Sequence, residues 1–214
     1  MALLTNAETA AAILKSPTPD IGELREIVED ILHDDRRASE VIRRTRSLLK
    51  KAPFDPKQSD LNEVARETVD LLSAVAAGRK VKLSSFLASV TLPITCDHIQ
   101  LQQVIINLVV NAMDATKDAP SEKRTISIRT LSVENFAELW VSDLGPGIPE
   151  HQLKEVFEPF FTSKAEGMGM GLSIARTIIE AHKGQIGAKN RDHGGASFRI
   201  RLPLAQDVYR PNAA

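Results

Sequence analysis

Two asparagines stand four residues apart in "QVIINLVVNAMDA", Asn107 and Asn111. At helical pitch that spacing puts both carboxamides on one face, among neighbours that are otherwise Val, Ile and Leu. An amide carried on a buried element must find partners. Two readings follow: internal hydrogen bonds to backbone, or neutral oxygen ligands for a hard cation such as Mg2+. Further along, "DLGPGIP" (143–149) sets Asp143 before Gly145 and Gly147. The glycines permit a tight turn and close backbone approach. Asp143 is then either part of an Asp-Gly turn or an acceptor for an exocyclic amine such as that of adenine. "FEPFFTSK" (157–164) holds three of the chain's seven phenylalanines, which reads as a small hydrophobic cluster under a loop. Thr162, Ser163 and Lys164 follow it, within reach of a phosphate. "EGMGMGL" (166–172) places Gly167, Gly169 and Gly171 against the start of an apolar helix. That is either a hinge or a place where backbone N–H groups and a helix N-terminus meet an anion.

The elements that must hold these residues follow from periodicity. "LNEVARETVDLLSAVA" reads as a helix capped by Asp60, and "DHIQLQQVIINLVVNAMDATK" as a strongly apolar helix capped by Asp97. "KVKLSSFLA" and "VTLPITC" read as strands, "RTISIRTLSVE" and "AELWVSDLG" as a hairpin, and "GQIGAKN" and "GASFRIRLPL" as closing strands. "LSIARTIIEAHKG" reads as a helix ending at Gly184. Helices mixed with antiparallel hairpins, without strict βαβ alternation, point to an α+β sandwich.

The first quarter of the chain is different. An alanine-rich helical segment over 3–15 is broken at "SPTPD", after which Asp20 caps a helix of about 30 residues, with Glu23 at the capping-box position. Its seam, Ile21, Leu24, Val28, Ile31, Asp35, Ala38, Ile42, Thr45 and Leu49, steps by three and four as a heptad does. This predicts a helical hairpin that pairs with a second copy. "KKAPFDPKQSD" marks a boundary near residues 51–58. The expected domains are 1–52, 53–206 and a tail at 207–214.

A formal net charge of −1 gives no global case for nucleic acid or an anionic membrane. Cys96 is the single cysteine, so no disulfide framework forms. No apolar run approaches the ~20 residues of a membrane span, and the N-terminus lacks the basic and apolar regions of a signal peptide. The expected location is cytoplasmic, although an intact protein could be membrane-anchored.

Taken in order, the asparagine pair, "DLGPGIP", "FEPFFTSK", "GMGMGL" and "GGASFRIRLP" resemble the N, G1, F, G2 and G3 boxes of sensor histidine kinases, in the superfamily of DNA gyrase and the MutL repair proteins. The resemblance covers residues 60–204, and the few residues after Lys164 resemble the short-lid subgroup. It implies a mixed sheet with helices on one face, and ATP as substrate. Asp143 would accept from the adenine amine, and Asn111, helped by Asn107, would hold Mg2+. Gly145, Gly147 and Ile148 would border the base. Lys164, Gly167, Met168, Gly169, Met170, Gly171 and Leu172 would surround the phosphates. Ser197 stands where the family usually has a threonine near the base. Hydrolysing members carry a glutamate four residues before the metal-binding asparagine. Here Asn107 stands there, and an amide is no general base, which favours phosphoryl transfer to a protein.

In that family the acceptor is a histidine in a His-Glu-Leu-x-Gln-Pro motif on the first hairpin helix, from which a response-regulator receiver domain takes the group. "MALLTNAETAAAILK" resembles the stretch just after such a motif, so the acceptor is expected to be cut off and the chain unable to phosphorylate itself. His33, beside two aspartates, is a low-ranking rival on the outer side of the heptad. His98 with Cys96 and Asp97 suggests a metal site less well than it suggests a helix N-terminus. The alternatives are a non-catalytic nucleotide-binding dimeric scaffold, and an ATP-driven clamp of the gyrase or MutL type.

Overall fold

The structure, a computed structural model, describes residues 2–15, 17, 19–32, 54–162 and 169–205. The chain divides into two compact units, 1–53 and 54–214. In the first, α1 spans Ala2–Ile13 and α2 runs over 21–32. Asp20 caps α2: its Oδ1 accepts from the N–H groups of Gly22 (2.8 Å) and Glu23 (3.1 Å). Ile21 and Val28 of the expected seam are exposed, as is Leu32. The seam positions from Asp35 onward, and His33, lie outside the described residues.

The second unit opens with β1 (Lys57–Asp60), antiparallel to β3 (Pro93–Cys96). Between them lie α3 (Leu61–Gly78) and β2 (Lys82–Phe86). Asp60 caps α3, accepting from Asn62 N–H at 3.0 Å. Then come α4 (His98–Ala115), the hairpin β4 (Thr125–Val133) and β5 (Phe136–Ser142), α5 (Gly171–Ala181), β6 (Gln185–Asn190) and β7 (Ala196–Pro203). The main sheet is five-stranded, in the order β2-β4-β5-β7-β6, with β2 parallel to β4 and every other pairing antiparallel.

Alternation along the strands decides what each face meets. Ile126, Ile128, Leu139, Val141, Phe198 and Ile200 point into the core with Leu101, Ile105 and Leu108 of α4 and Ile174 and Ile178 of α5. Their alternates, Arg129, Trp140, Ser142 and Arg199 among them, form the opposite, open face. This is the mixed sheet with helices on one side that the family resemblance implied.

The end of α5 corrects one expectation. The left-handed position after the helix is Lys183 (φ 57°), not Gly184. The Lys183 N–H bonds Glu180 O at 2.9 Å and the Gly184 N–H bonds Ile179 O at 2.9 Å, the two bonds of a Schellman motif. Gly184 is needed for closeness instead: a Cβ there would sit 2.6 Å from the Arg201 carbonyl oxygen.

Candidate functional site

Asp143 leaves the end of β5 and is 2% exposed. Its Oδ1 accepts from Gly145 N–H at 2.8 Å and Ala196 N–H at 3.3 Å. Burial pushes its carboxyl above the ordinary value, opposed by those two bonds and by the charge of Arg191. Both bonds end on one oxygen, so Oδ2 is left to face a donor from outside. The backbone around it is fixed tightly. Asp143 exchanges its own N–H with Ala196 O at 3.0 Å, and its carbonyl accepts from Arg191 Nη1 at 2.9 Å. Gly195 (φ 86°) passes so close that a Cβ would strike the Asp143 carbonyl, and a Cβ on Gly145 would lie 2.9 Å from Ala115 O. The second contact seats the turn on the last residue of α4.

Two residues that sequence reasoning missed complete this corner. The Asn190 carboxamide mimics a strand partner for Ile148: Oδ1 accepts from Ile148 N–H at 2.8 Å and Nδ2 donates to Ile148 O at 2.6 Å. Arg191 is the second, through the Asp143 carbonyl. Their only sequence signal is their place before the turn "DHGG", and that does not disclose a partner 42 residues away.

The asparagine pair and the glycine stretch meet in a second corner. Asn107 and Asn111 are half-buried on α4, and Asn107 Nδ2 donates to Gly171 O at 3.4 Å. A Cβ on Gly171 would lie 4.0 Å from Asn107 Cγ and 4.0 Å from Asn111 Nδ2. Gly171 therefore lies against both amides. Met170 precedes the helix with no side-chain cap, so the first N–H groups of α5 keep their capacity for an anion. Met170 is buried and Leu172 half-buried beside it. One turn of α4 separates Asn111 from Ala115, so a single helix carries both corners.

Gly169 has a different task from the one expected. At φ 64°, its Cβ position is filled by the backbone of Phe160 and Phe161. It closes the base of the segment between "FEPFF" and α5 by bringing the two chain ends together. The phenylalanines do not form one cluster. Phe157 is buried edge-on to Phe198, with centroids 6.1 Å apart, whereas Phe160 is 73% exposed. Lys164, Gly167 and Met168 lie outside the described residues.

Ser197 departs from its expected place. Its hydroxyl bonds the Ser142 hydroxyl at 2.7 Å on the open face of the sheet. The residue that meets the Asp143 carboxylate is its neighbour Ala196, through the backbone N–H. A one-residue step in a strand moves a side chain to the other face, so we assign Ser197 no part in this corner. His98 pairs with Glu67 at 2.7 Å, Asp97 caps α4 through Gln100 N–H at 3.1 Å, and Cys96 is buried. Among the described residues no group of three or more His, Cys, Asp or Glu could hold a metal. His182 ties the far ends of α4 and α5 together, its Nε2 accepting from Asp97 N–H at 2.9 Å.

Residues 96–206 match the family model described as "Histidine kinase-, DNA gyrase B-, and HSP90-like ATPase". The catalytic domain of histidine kinase ThkA shares the fold with a TM-score of 0.63 and 33% identity, over 71% of this chain and 97% of that one. The sensor histidine kinase TmoS of Ectopseudomonas mendocina is 36% identical over 207 residues, 95% of this chain and 21% of its own length. The C4-dicarboxylate transport sensor protein DctS of Rhodobacter capsulatus is 32% identical over 96% of this chain and 31% of its own length. The chain spans between a fifth and a third of those two relatives. It belongs to the histidine kinase, gyrase B and HSP90 ATPase family, and within it to the kinase core of the sensor histidine kinases.

Proposed function

We propose that the second unit binds ATP between the two corners and directs its γ-phosphoryl group to a histidine. The Asp143 carboxylate carries this reading. It is buried, raised in pKa, tied through one oxygen and open through the other, which suits recognition of an exocyclic amine. Gly145, Gly147 and Ile148, the last held by Asn190, frame the base. The uncapped start of α5, with Met170, Gly171 and Leu172, receives the phosphates. Lys164, Gly167 and Met168 would complete that side.

The amide pair fits Mg2+. Neutral oxygens beside an anion-ready helix start suit a cation that is held by few protein ligands and shared with substrate phosphates. Asn111 and Asn107 would hold it, and a bound Mg2+ supplies neutralisation of phosphate charge. The chain's own residues supply position: the Asp143 corner fixes the base, Gly171 lets the phosphates approach α4, and Asn107 offers no base to activate water. The last point favours transfer over hydrolysis, and with it the kinase reading over a clamp.

The first unit would pair with that of a second copy through its exposed apolar residues, Ile21 and Val28 among them, with domains at 1–52 and 53–206 and a tail at 207–214. The partner receiving the phosphoryl group would be a response-regulator receiver domain; ThkA has been solved in complex with a response regulator. Among the described residues no helix is long and apolar enough to cross a membrane; the site of action would be cytoplasmic. No His-Glu-Leu-x-Gln-Pro motif occurs in the 214 residues, so this chain should bind ATP without labelling itself. Radiolabel from γ-labelled ATP held stably on His33 would overturn that. Calorimetry with ATP tests the central contact: Asp143→Ala should weaken binding about a hundredfold, and unchanged affinity would sink the assignment.

A further inference from the structure

The open face of the sheet takes no part in the nucleotide site, yet its side chains are ordered in two rows. The strand register aligns Ser84, Ser127, Ser142 and Ser197 across four strands and ends at Lys189 on the fifth. The adjacent row runs Phe86, Arg129, Trp140, Arg199. The cations are held by rings. Lys189 Nζ lies 4.7 Å from the Trp140 centroid and the Arg199 guanidinium 5.5 Å from it, while Arg129 lies 5.9 Å from Phe86. Glu138 is the carboxylate carried by the sheet on this face. It is buried, accepts from Trp140 Nε1 at 3.0 Å, and faces Arg199 at 3.7 Å and Arg201 at 3.5 Å. Arg201 is further matched by Glu134 at 3.4 Å. Among the described residues Arg129 and Lys189 have no carboxylate partner. A chain of net charge −1 thus concentrates positive charge on one flat surface.

We propose that this face is a docking surface for an acidic segment of a partner protein. Strands sit about 4.8 Å apart, so Arg129 and Arg199, two strands from each other, are spaced about 10 Å along the row. That matches carboxylates at i and i+7 of a helix, about 10.5 Å apart. The groove over Ser127, Arg129, Trp140, Ser142, Lys189 and Ser197 has a volume of about 490 Å³, and at its β6 end Arg191 and one carboxylate, Asp192, also line it. Arginine's planar fork suits carboxylates, and the hydroxyl row can donate alongside. Phe86, 55% exposed, offers an apolar contact at the rim. A single-stranded nucleic acid fits less well. Its bases need free aromatic faces for stacking, and Trp140 already holds two cations.

The test uses the whole chain and fluorescence anisotropy at low salt. The probes are a labelled decaglutamate peptide, a decaserine peptide and an oligouridine of ten nucleotides. Decaglutamate should bind, decaserine should not, and binding should weaken steeply as salt rises. The double charge reversal Arg129→Glu with Arg199→Glu should weaken decaglutamate at least about tenfold, while ATP affinity by calorimetry stays within about twofold of the parent, which shows the fold intact. The milder pair Arg129→Gln with Arg199→Gln should give an intermediate loss. No binding of decaglutamate, binding indifferent to both double variants, or tighter binding of oligouridine would each overturn the proposal.

Discussion

On the covered face of the sheet, Val141 and Phe198 are buried against the core, and Asp143 follows its strand with a buried carboxylate tied through one oxygen. One residue away on the same strands, Trp140, Ser142, Ser197 and Arg199 lie on the opposite face, where Arg199 is held against the Trp140 ring and the two hydroxyls bond each other. The covered face is specified by closeness: Gly145 and Gly195 are there because a methyl group would strike backbone. The open face is specified by register, since its rows exist only while five strands stay aligned. Polar chemistry on the first is buried and directed at one atom; on the second it is spread and available to a surface.

Several substitutions would sharpen this contrast. After Asp143→Ala, the largest effect on ATP affinity is expected for Asn190→Ala. It removes both bonds to the Ile148 backbone, and should cost about 1–3 kcal/mol of stability together with roughly tenfold in ATP affinity, read by urea melts and calorimetry. Intact ATP affinity would mean that the turn after Gly147 holds itself.

A pH series comes next. In the function proposed above the ionised Asp143 accepts the adenine amine, and burial raises its carboxyl. Affinity should therefore fall on acidification while the pH is still above the ordinary carboxylate value of about 3.9. Asp143→Asn should flatten the curve. Stability carries the opposite sign. The native carboxyl holds its proton to higher pH than the unfolded one, so the contribution of Asp143 declines as pH rises through that window and recovers as pH falls.

The smallest effect belongs to the open face. Ser142→Ala or Ser197→Ala should each cost about 1 kcal/mol by stranding a hydroxyl, and the double variant less than the sum. ATP affinity should not move in any of the three. A loss confined to Ser197→Ala would return that residue to the nucleotide site and blur the two faces.

Much of this was legible in the sequence. Asp60 and Asp97 announce their helices as caps, and the period-two runs at 125–142 give the hairpin. The ordered boxes single out Asp143 and the asparagine pair, the residues on which the proposed function rests. What stayed hidden depends on long-range approach. Asn190 reaches Ile148 only after β6 has joined the sheet, and nothing local to "KNRD" says so. Gly169 reads as a phosphate cradle until Phe160 and Phe161 are seen against it. Ala196, one position before Ser197, is the residue that meets Asp143; "GGAS" does not show which residue opens the strand's inward alternation. Lys183 takes the left-handed position beside a glycine better suited to it, since Gly184 is committed to the Arg201 carbonyl.

Gly171 differs from the other glycines of the site. Among the described residues nothing requires it: its φ is ordinary and a methyl group would meet only the two amides, at contact distance. Glycine at a helix start costs stability, so Gly171→Ala should raise the melting temperature, by about 0.5 kcal/mol in free energy, while lowering affinity for ATP. The same exchange at Gly195 should only unfold the protein. If both shifts are found, residue 171 is where the chain accepts a weaker fold in return for room, a stability–activity trade-off at a single hydrogen atom.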